Sequence, residues 1–396
     1  MNTRYLFILL SFLVSSLFSI SSVAAETLSA ITNNTTQRLK QIYNVNPEKL
    51  QDNVKSINRW LQGPASLQLI ALPSNTQGGT DEYEVGVFFP FRSPAGRELD
   101  AQQLSITNAL DNLQETRFRL MTSGLIREAL WQRLFAKAEV DGLLKKQEWI
   151  ASLDGVIAGL AKTGELDRIA SLRWQQEKLS HQLALKKAQM ALEKAQKQYK
   201  QITGTDVLPE QVTEVLAGDL ENKLQTHPEL RLLTLSQSQI DMNLAQSDQS
   251  LSPWVLGVIA RQLRGPTGNE NLLGVSINIP LPMGEGNSAN NYASWKATRD
   301  ELTEALAETY TRLQTQLNDA LQQVNYLTEA TNNLEEQVEL GVEIADLYQQ
   351  QGSVLPKTFW LEQLIAQQEL KLTLSLNRLR RAEAISKVNQ IAGVTL

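Results

Sequence analysis

The chain has 396 residues, 43 acidic against 37 basic side chains, a net charge of −6 and no cysteine. The mildly acidic balance gives no support for nucleic-acid binding, and a chain without cysteine suits an oxidising compartment and leaves no thiol for an N-terminal lipid anchor. The two histidines, His181 and His227, have no second ligand at metal-binding spacing. We therefore expect no metal, no cofactor, no catalytic residues and no enzyme.

The first 25 residues are typical of a signal peptide. Arg4 precedes an apolar stretch, Tyr5 to Phe18, and the small residues Val23, Ala24 and Ala25 follow. The apolar stretch is shorter than the roughly 20 residues of a membrane-spanning helix. The pattern predicts cleavage near Glu26 and export. A chain of this kind can enter a membrane after export only as a closed β-barrel, because unpaired backbone groups are too costly in lipid.

The remaining sequence contains one structural unit twice. Each copy predicts short helices, a β-hairpin and a long helical hairpin. The first copy is residues 26–208, with its hairpin at 66–90 and its helices at 97–203; the second is 209–396, with the same elements at 254–280 and 288–392. Pro90 and Gly164 lie 74 positions apart, and Pro280 and Gly352 lie 72 apart. This near-equality indicates a duplication.

The long helical stretches contain no proline between about residues 98 and 162 or between 289 and 351. Alanine, leucine, glutamine and glutamate dominate, which are good helix formers. The second stretch has heptad-like apolar positions: Leu302, Leu306, Leu313, Leu317, Leu321, Val324 and Leu327. Some 63 helical residues would span roughly 95 Å at about 1.5 Å per residue. We therefore predict an elongated coiled-coil body.

Two of the four predicted strands, those starting at Tyr83 and Leu272, alternate cleanly between apolar and polar residues, and the strand from Trp254 is less polarised. The bounds of the four strands are Ser66–Leu72, Tyr83–Phe89, Trp254–Arg261 and Leu272–Ile279, and the second strand of each hairpin is expected to end at Pro90 or Pro280. One apolar face in each hairpin predicts transmembrane strands, with Tyr83 and Trp254 at the membrane interface. The candidate lumen-facing residues are Glu82, Glu84, Gly274, Ser276 and Asn278. A hairpin half-buried on a soluble core is the alternative.

Four strands cannot close a barrel by themselves, since single barrels start at about 8 strands. Two copies would give a barrel filled by side chains, and three copies would give 12 strands around an open lumen. The fold class expected is thus mainly α with a small β part: a duplicated unit that forms a long α-helical coiled-coil barrel plus four transmembrane β-strands per chain, with the barrel closed by trimerisation.

These features resemble the TolC-like outer membrane factor family over essentially the whole mature chain. The motifs that carry the resemblance are Asn46-Pro47-Glu48, His227-Pro228-Glu229-Leu230, Ile279-Pro280-Leu281 and Tyr348-Gln349-Gln350-Gln351-Gly352. The resemblance implies a homotrimer in the outer membrane with a large periplasmic part, contacting outer-membrane lipid. It also implies partners, namely a periplasmic adaptor and an inner-membrane pump or transporter, in efflux or type I secretion. The compact length resembles the cation-efflux branch.

The turns between the long helices are predicted to form the periplasmic tip. Four charged residues fall there and are candidates for a gate that holds the tunnel closed: Asp167, Arg168, Arg173 and Glu362. The other interpretation is that they are ordinary charges on solvated helix ends, each pair worth about 0–1 kcal/mol. Two other functions stay open at this point, a periplasmic adaptor and a structural coiled-coil protein of the envelope.

Overall fold

In a computed structural model, the chain is described over residues 27–43, 60–248, 253–280, 289–350 and 357–396. The predicted signal peptide, the Asn46-Pro47-Glu48 motif, the turn at 283–286 and Gly352 lie outside the described residues. Within them, none of the helices is both long and apolar enough to cross a membrane.

The described elements follow the predicted order. They are α1 (Leu28–Ile42), β1 (Ser66–Leu72), β2 (Asp81–Phe91), α2 (Pro94–Thr163), α3 (Arg168–Thr203), α4 (Leu220–Gln225), α5 (Pro228–Asp248), β3 (Trp254–Gly265), β4 (Gly268–Asn278), α6 (Ala289–Gln350) and α7 (Lys357–Ile391). The long helices α2 and α6 contain 70 and 62 residues. The mainly helical fold with a small β part is thereby confirmed.

The described chain forms two compact units, and each takes residues from both sequence repeats. One comprises residues up to Leu39, Phe118–Leu220 and Thr315–Leu396; the other comprises Lys40–Arg117 and Glu221–Gln314. The two sequence repeats therefore do not coincide with the two compact units.

In the second unit, the two hairpins join into one antiparallel sheet in the order β1-β2-β3-β4. β2 pairs with β3 along its whole length, from Asp81 opposite Arg264 to Phe91 opposite Trp254. Residues directly opposite each other in an antiparallel pair lie on the same face, so this register decides which side chains share a side of the sheet.

The predicted bounds of β2, β3 and β4 were wrong. The expected loop at 262–271 is instead a continuation of both strands up to the pair Gly265 and Gly268, because its polar residues still pair across the ladder: Gln262 Nε2 donates to Asn271 Oδ1 at 3.1 Å. Likewise, β2 continues through Pro90 to Phe91. Proline has no N–H to donate, but the Pro90 carbonyl still accepts from Gln62 N at 2.8 Å.

In the first unit, α2, α3 and α7 pack together around a buried aromatic cluster. Ile150, Ile157 and Leu166 from the end of α2 and the following turn meet Trp174 of α3 and Leu361 of α7. The rings of Trp149 and Trp174 stack edge to face with centroids 6.0 Å apart. This cluster holds the α2–α3 turn beside the start of α7.

Candidate functional site

The α2–α3 turn is short and closely defined. Gly164 has φ +75°, a left-handed conformation suited to glycine, and Leu166 N donates to Leu160 O at 3.1 Å. Asp167 then caps α3, since its Oδ1 accepts from Ala170 N at 2.6 Å. Gly164 therefore follows the end of α2, and Asp167 has a structural partner within its own turn.

This cap gives a first testable expectation. Asp167→Ala should lower the free energy of unfolding by about 1 kcal/mol, because one of the first N–H groups of α3 loses its acceptor. Thermal unfolding followed by circular dichroism measures the loss. Asp167→Ser is the control, since serine caps equally well and should leave the midpoint unchanged; an equal loss in both variants would show that the carboxylate acts beyond the cap.

The structure brings two of the four predicted tip charges together. Arg173 of α3 forms an ion pair with Glu362 of α7, and their side chains are 61% and 49% exposed. Arg168 is the first residue of α3 and exposed, without an ion pair to any other described residue. The four residues therefore divide into one capping residue, one ion pair between helices, and one exposed arginine.

A second charged group involves residues close to Arg173 on α3. Asp154 Oδ1 of α2 accepts from Lys178 Nζ at 2.7 Å and from Trp174 Nε1 at 2.9 Å. The hydrogen bond from Lys178, and then that from Trp174, lowers the pKa of Asp154. Polar contacts of this kind fix α3 against α2 and position Arg173 on the exposed side.

The sheet register places all five predicted lumen-facing residues on one face. On β2, Glu84 lies opposite Arg261 and Glu82 lies opposite Leu263 of β3. The β4 residues lie opposite β3 residues of the same face: Gly274 opposite Ile259, Ser276 opposite Gly257, and Asn278 opposite Val255. This side is called the polar face below. Arg261 binds both carboxylates, Glu84 at 2.7 Å and Glu82 at 3.1 Å. The lumen itself stays a prediction.

Glycines on the polar face leave room for one aromatic ring. A Cβ at Gly86 would lie 2.7 Å from the Phe88 ring, and one at Gly257 would lie 2.5 Å from that ring and 2.4 Å from Ser276 Oγ. The Phe88 ring therefore lies against the backbone of Gly86 and Gly257, which have no side chains, and the polar face is closely packed there.

The opposite side, called the apolar face below, is continuous across all four strands. Large exposed hydrophobic side chains occupy it, with exposures of 69% for Leu69, 47% for Val85, 44% for Val258 and 71% for Val275. They belong to one surface because Leu69 pairs with Val85, and Val258 pairs with both Val87 and Val275. An apolar surface of this extent marks an interaction site with a partner or a membrane.

Sequence reasoning missed a buried polar network. Arg127 of α2 donates to Glu214 through Nε at 2.9 Å and Nη2 at 2.6 Å, and to the Val394 carbonyl at 2.9 Å. Glu214 also accepts from Ser386 Oγ at 2.6 Å and Asn389 Nδ2 at 3.0 Å. Burial alone raises the pKa of Glu214, but the hydrogen bonds and charge of Arg127, with Ser386 and Asn389, outweigh it, so the pKa lies below its usual value.

Among the described residues, no group of three or more histidine, aspartate or glutamate side chains is arranged to hold a metal ion. His181 is buried in α3, and its two ring nitrogens have no hydrogen-bond partner among the described residues. Burial is the largest cause that lowers the pKa of His181, followed by the charge of Lys146, and both favour the neutral imidazole.

No family model matches the sequence, and no curated protein matches it. Solved structures do match. The open state of the Neisseria gonorrhoeae MtrE outer membrane channel has a TM-score of 0.64 at 13% identity, covering 92% of this chain and 88% of that one. The Vibrio cholerae outer membrane protein VceC has a TM-score of 0.62 at 14% identity, covering 92% of this chain and 97% of that one. The Campylobacter jejuni CmeC outer membrane channel has a TM-score of 0.59 at 13% identity, covering 93% of this chain and 86% of that one.

At this identity the likeness shows the fold. The chain has the fold of these outer membrane channel proteins over most of its length. The TolC-like fold predicted from the repeated motifs is thereby confirmed.

Proposed function

We propose that this chain is one subunit of an outer-membrane exit duct, a passive conduit in a tripartite efflux or type I secretion system. The observation that carries the proposal is the sheet: four antiparallel strands have one polar and one exposed apolar face, and they adjoin long helical hairpins. A barrel strand needs lipid on one side and water on the other, and the two faces of this sheet meet both requirements.

Closure of the barrel requires further copies of the chain. Within the described residues, β1 and β4 each pair on one edge only, and unpaired edges are too costly in lipid. Three copies give 12 strands. A stripe of exposed apolar residues on α3 at heptad-like spacing supports contact with a neighbouring copy: Ile169, Leu172, Leu179, Leu183 and Met190. The proposed assembly is therefore a homotrimer.

The proposed location is the outer membrane, with the helices in the periplasm. There the chain would meet outer-membrane lipid on its apolar face, a periplasmic adaptor, and an inner-membrane pump or transporter. No chemistry on the cargo is proposed, because the duct only has to pass it. Membership of the cation-efflux branch remains a prediction.

The basic test is purification from the outer-membrane fraction, followed by mass determination and single-channel recording in a planar bilayer. A trimer with a small resting conductance supports the duct. A monomer recovered from the soluble periplasm, without channel activity, would contradict it and favour the periplasmic adaptor or structural coiled-coil alternative.

The ion pair between Arg173 and Glu362 is proposed to hold the tip closed. Exposed pairs contribute about 0.5 kcal/mol each, so three copies would shift the ratio of open to closed channels by about tenfold. Arg173→Ala and Glu362→Ala should each raise the resting conductance, and Arg173→Ala/Glu362→Ala should add little more. Lys197→Ala, which removes an exposed pair with Glu193 further along α3, is the control. Wild-type conductance in both single variants would remove the pair from the gate.

A further inference from the structure

The sheet has an arginine stacked on an aromatic ring at each of its two ends. Arg264 of β3 lies over the Tyr83 ring, with Cζ 5.4 Å from the ring centroid, and Arg97 in the first turn of α2 lies over the Trp60 ring at 5.0 Å. Trp60 is 70% exposed. Stacking of this kind holds a guanidinium in one plane and leaves its outer edge available to a ligand.

The two stacked pairs lie at opposite ends of the same strands. Tyr83 and Arg264 lie near the β1–β2 and β3–β4 turns, on the apolar face. Trp60 lies at the other end, where its carbonyl accepts from Arg92 N at 3.0 Å and Leu61 forms a bridge to Phe91. From Trp254 to Arg264 the strand rises roughly 33 Å, which a tilt of about 40° reduces to about 25 Å, the height of the apolar band in outer-membrane barrels.

Each arginine is also placed to bind an anion. Among the described residues neither has an ion pair, and Arg264 uses its Nε to donate to Gln262 at 3.1 Å, so its terminal nitrogens carry four further donors. The carboxylate opposite it in the register, Asp81, accepts from Ser74 N at 2.8 Å. Guanidinium groups match phosphate geometry with two parallel hydrogen bonds.

We propose that these two pairs are binding sites for the phosphate groups of membrane lipids, one at each surface of the bilayer. The proposal rests on the proposed function, since it needs the apolar face to lie in lipid. A lipid fits better than free phosphate, because the surface between the arginines is apolar and exposed: Leu273 is 81% and Ile277 67% exposed. Acyl chains would cover this surface while the headgroup phosphates meet Arg97 and Arg264.

The test is binding of a fluorescent phosphatidylglycerol to the purified protein in detergent, compared with a phosphate-free, uncharged diacyl glycolipid. Arg97→Gln and Arg264→Gln should each weaken phosphatidylglycerol binding about fivefold at one of the two sites and leave the other site unchanged, and the double variant should weaken both sites about fivefold, because distant sites act independently. Binding of the glycolipid should not change. Arg299→Gln, which removes an arginine paired with Asp241 at 2.6 Å outside the sheet, should bind phosphatidylglycerol as the wild type does.

Millimolar inorganic phosphate is added as a competitor to distinguish the source of the phosphate. It should leave phosphatidylglycerol binding unchanged, and displacement by it would assign the sites to a free anion and overturn the proposal. A double variant that reaches the outer-membrane fraction and binds phosphatidylglycerol within twofold of the wild type would overturn the headgroup sites alone. A wild-type protein that binds neither lipid and is recovered from the soluble fraction would overturn the proposed function itself.

Discussion

Val275→Arg is expected to prevent stable insertion of the protein into the outer membrane. Val275 lies near the middle of the proposed membrane span, opposite Val258 on the apolar face, and is 71% exposed. An arginine near the bilayer midplane costs about 2–4 kcal/mol in a barrel, and a trimer would carry three. The measurement is the fraction of protein recovered as heat-resistant trimer from outer membranes.

The neighbouring residue provides the control. Ser276 follows Val275 on β4 and lies on the polar face, opposite Gly257. Ser276→Arg should therefore insert and change only single-channel conductance, because its charge would lie in water. If the sheet were instead an ordinary surface of a soluble protein, arginine at the exposed Val275 would be neutral, and equal recovery of both variants would contradict the barrel.

Arg127→Met is expected to cause the largest loss of stability within the helical part of the protein. The Arg127 side chain is 5% exposed and that of Glu214 is 15% exposed, so removal of the arginine leaves a buried carboxylate without its counter-charge. Breaking a buried pair in this way costs about 3–5 kcal/mol. The loss should appear as a lower thermal midpoint, measured by circular dichroism of the detergent-solubilised protein.

The double variant Arg127→Met/Glu214→Met separates charge from packing. It should recover part of the loss, because both buried charges are then gone, although Ser386 and Asn389 lose their acceptor. Lys197→Met, which removes a fully solvated pair, should leave the midpoint unchanged. An Arg127→Met protein as stable as that control would show that the buried pair contributes nothing.

The same pair predicts a pH dependence. The folded-state pKa of Glu214 is lower than the ordinary value of 4.5, so the unfolded state binds the proton more tightly. The stability from this carboxylate is therefore fully present above pH 4.5 and is lost as the pH falls through the lower folded-state pKa. Glu214→Gln should flatten this acid limb of the stability curve, whereas a curve of unchanged slope would assign the limb to other carboxylates.

Local sequence patterns were enough to predict the helices and strands and their order along the chain. Proline-free stretches of good helix formers predict α2 and α6, and Gly164 ends α2 in a left-handed conformation that glycine adopts without strain. Alternation along β2 and β4 predicts two chemically different faces, because successive side chains in a strand point to opposite sides. These are local rules, so a single sequence is enough to apply them.

The contacts between residues far apart in the chain became visible only in the folded structure. Arg173 and Glu362 are 189 positions apart, and Arg127 and Glu214 are 87 apart. Each is an ordinary charge in its own segment, since neither periodicity nor spacing marks it. The order β1-β2-β3-β4 likewise depends on pairing between the two repeats, and this pairing merges two hairpins into one polar and one apolar face. Contacts of this range are set by how helices and strands pack, which local sequence patterns do not encode.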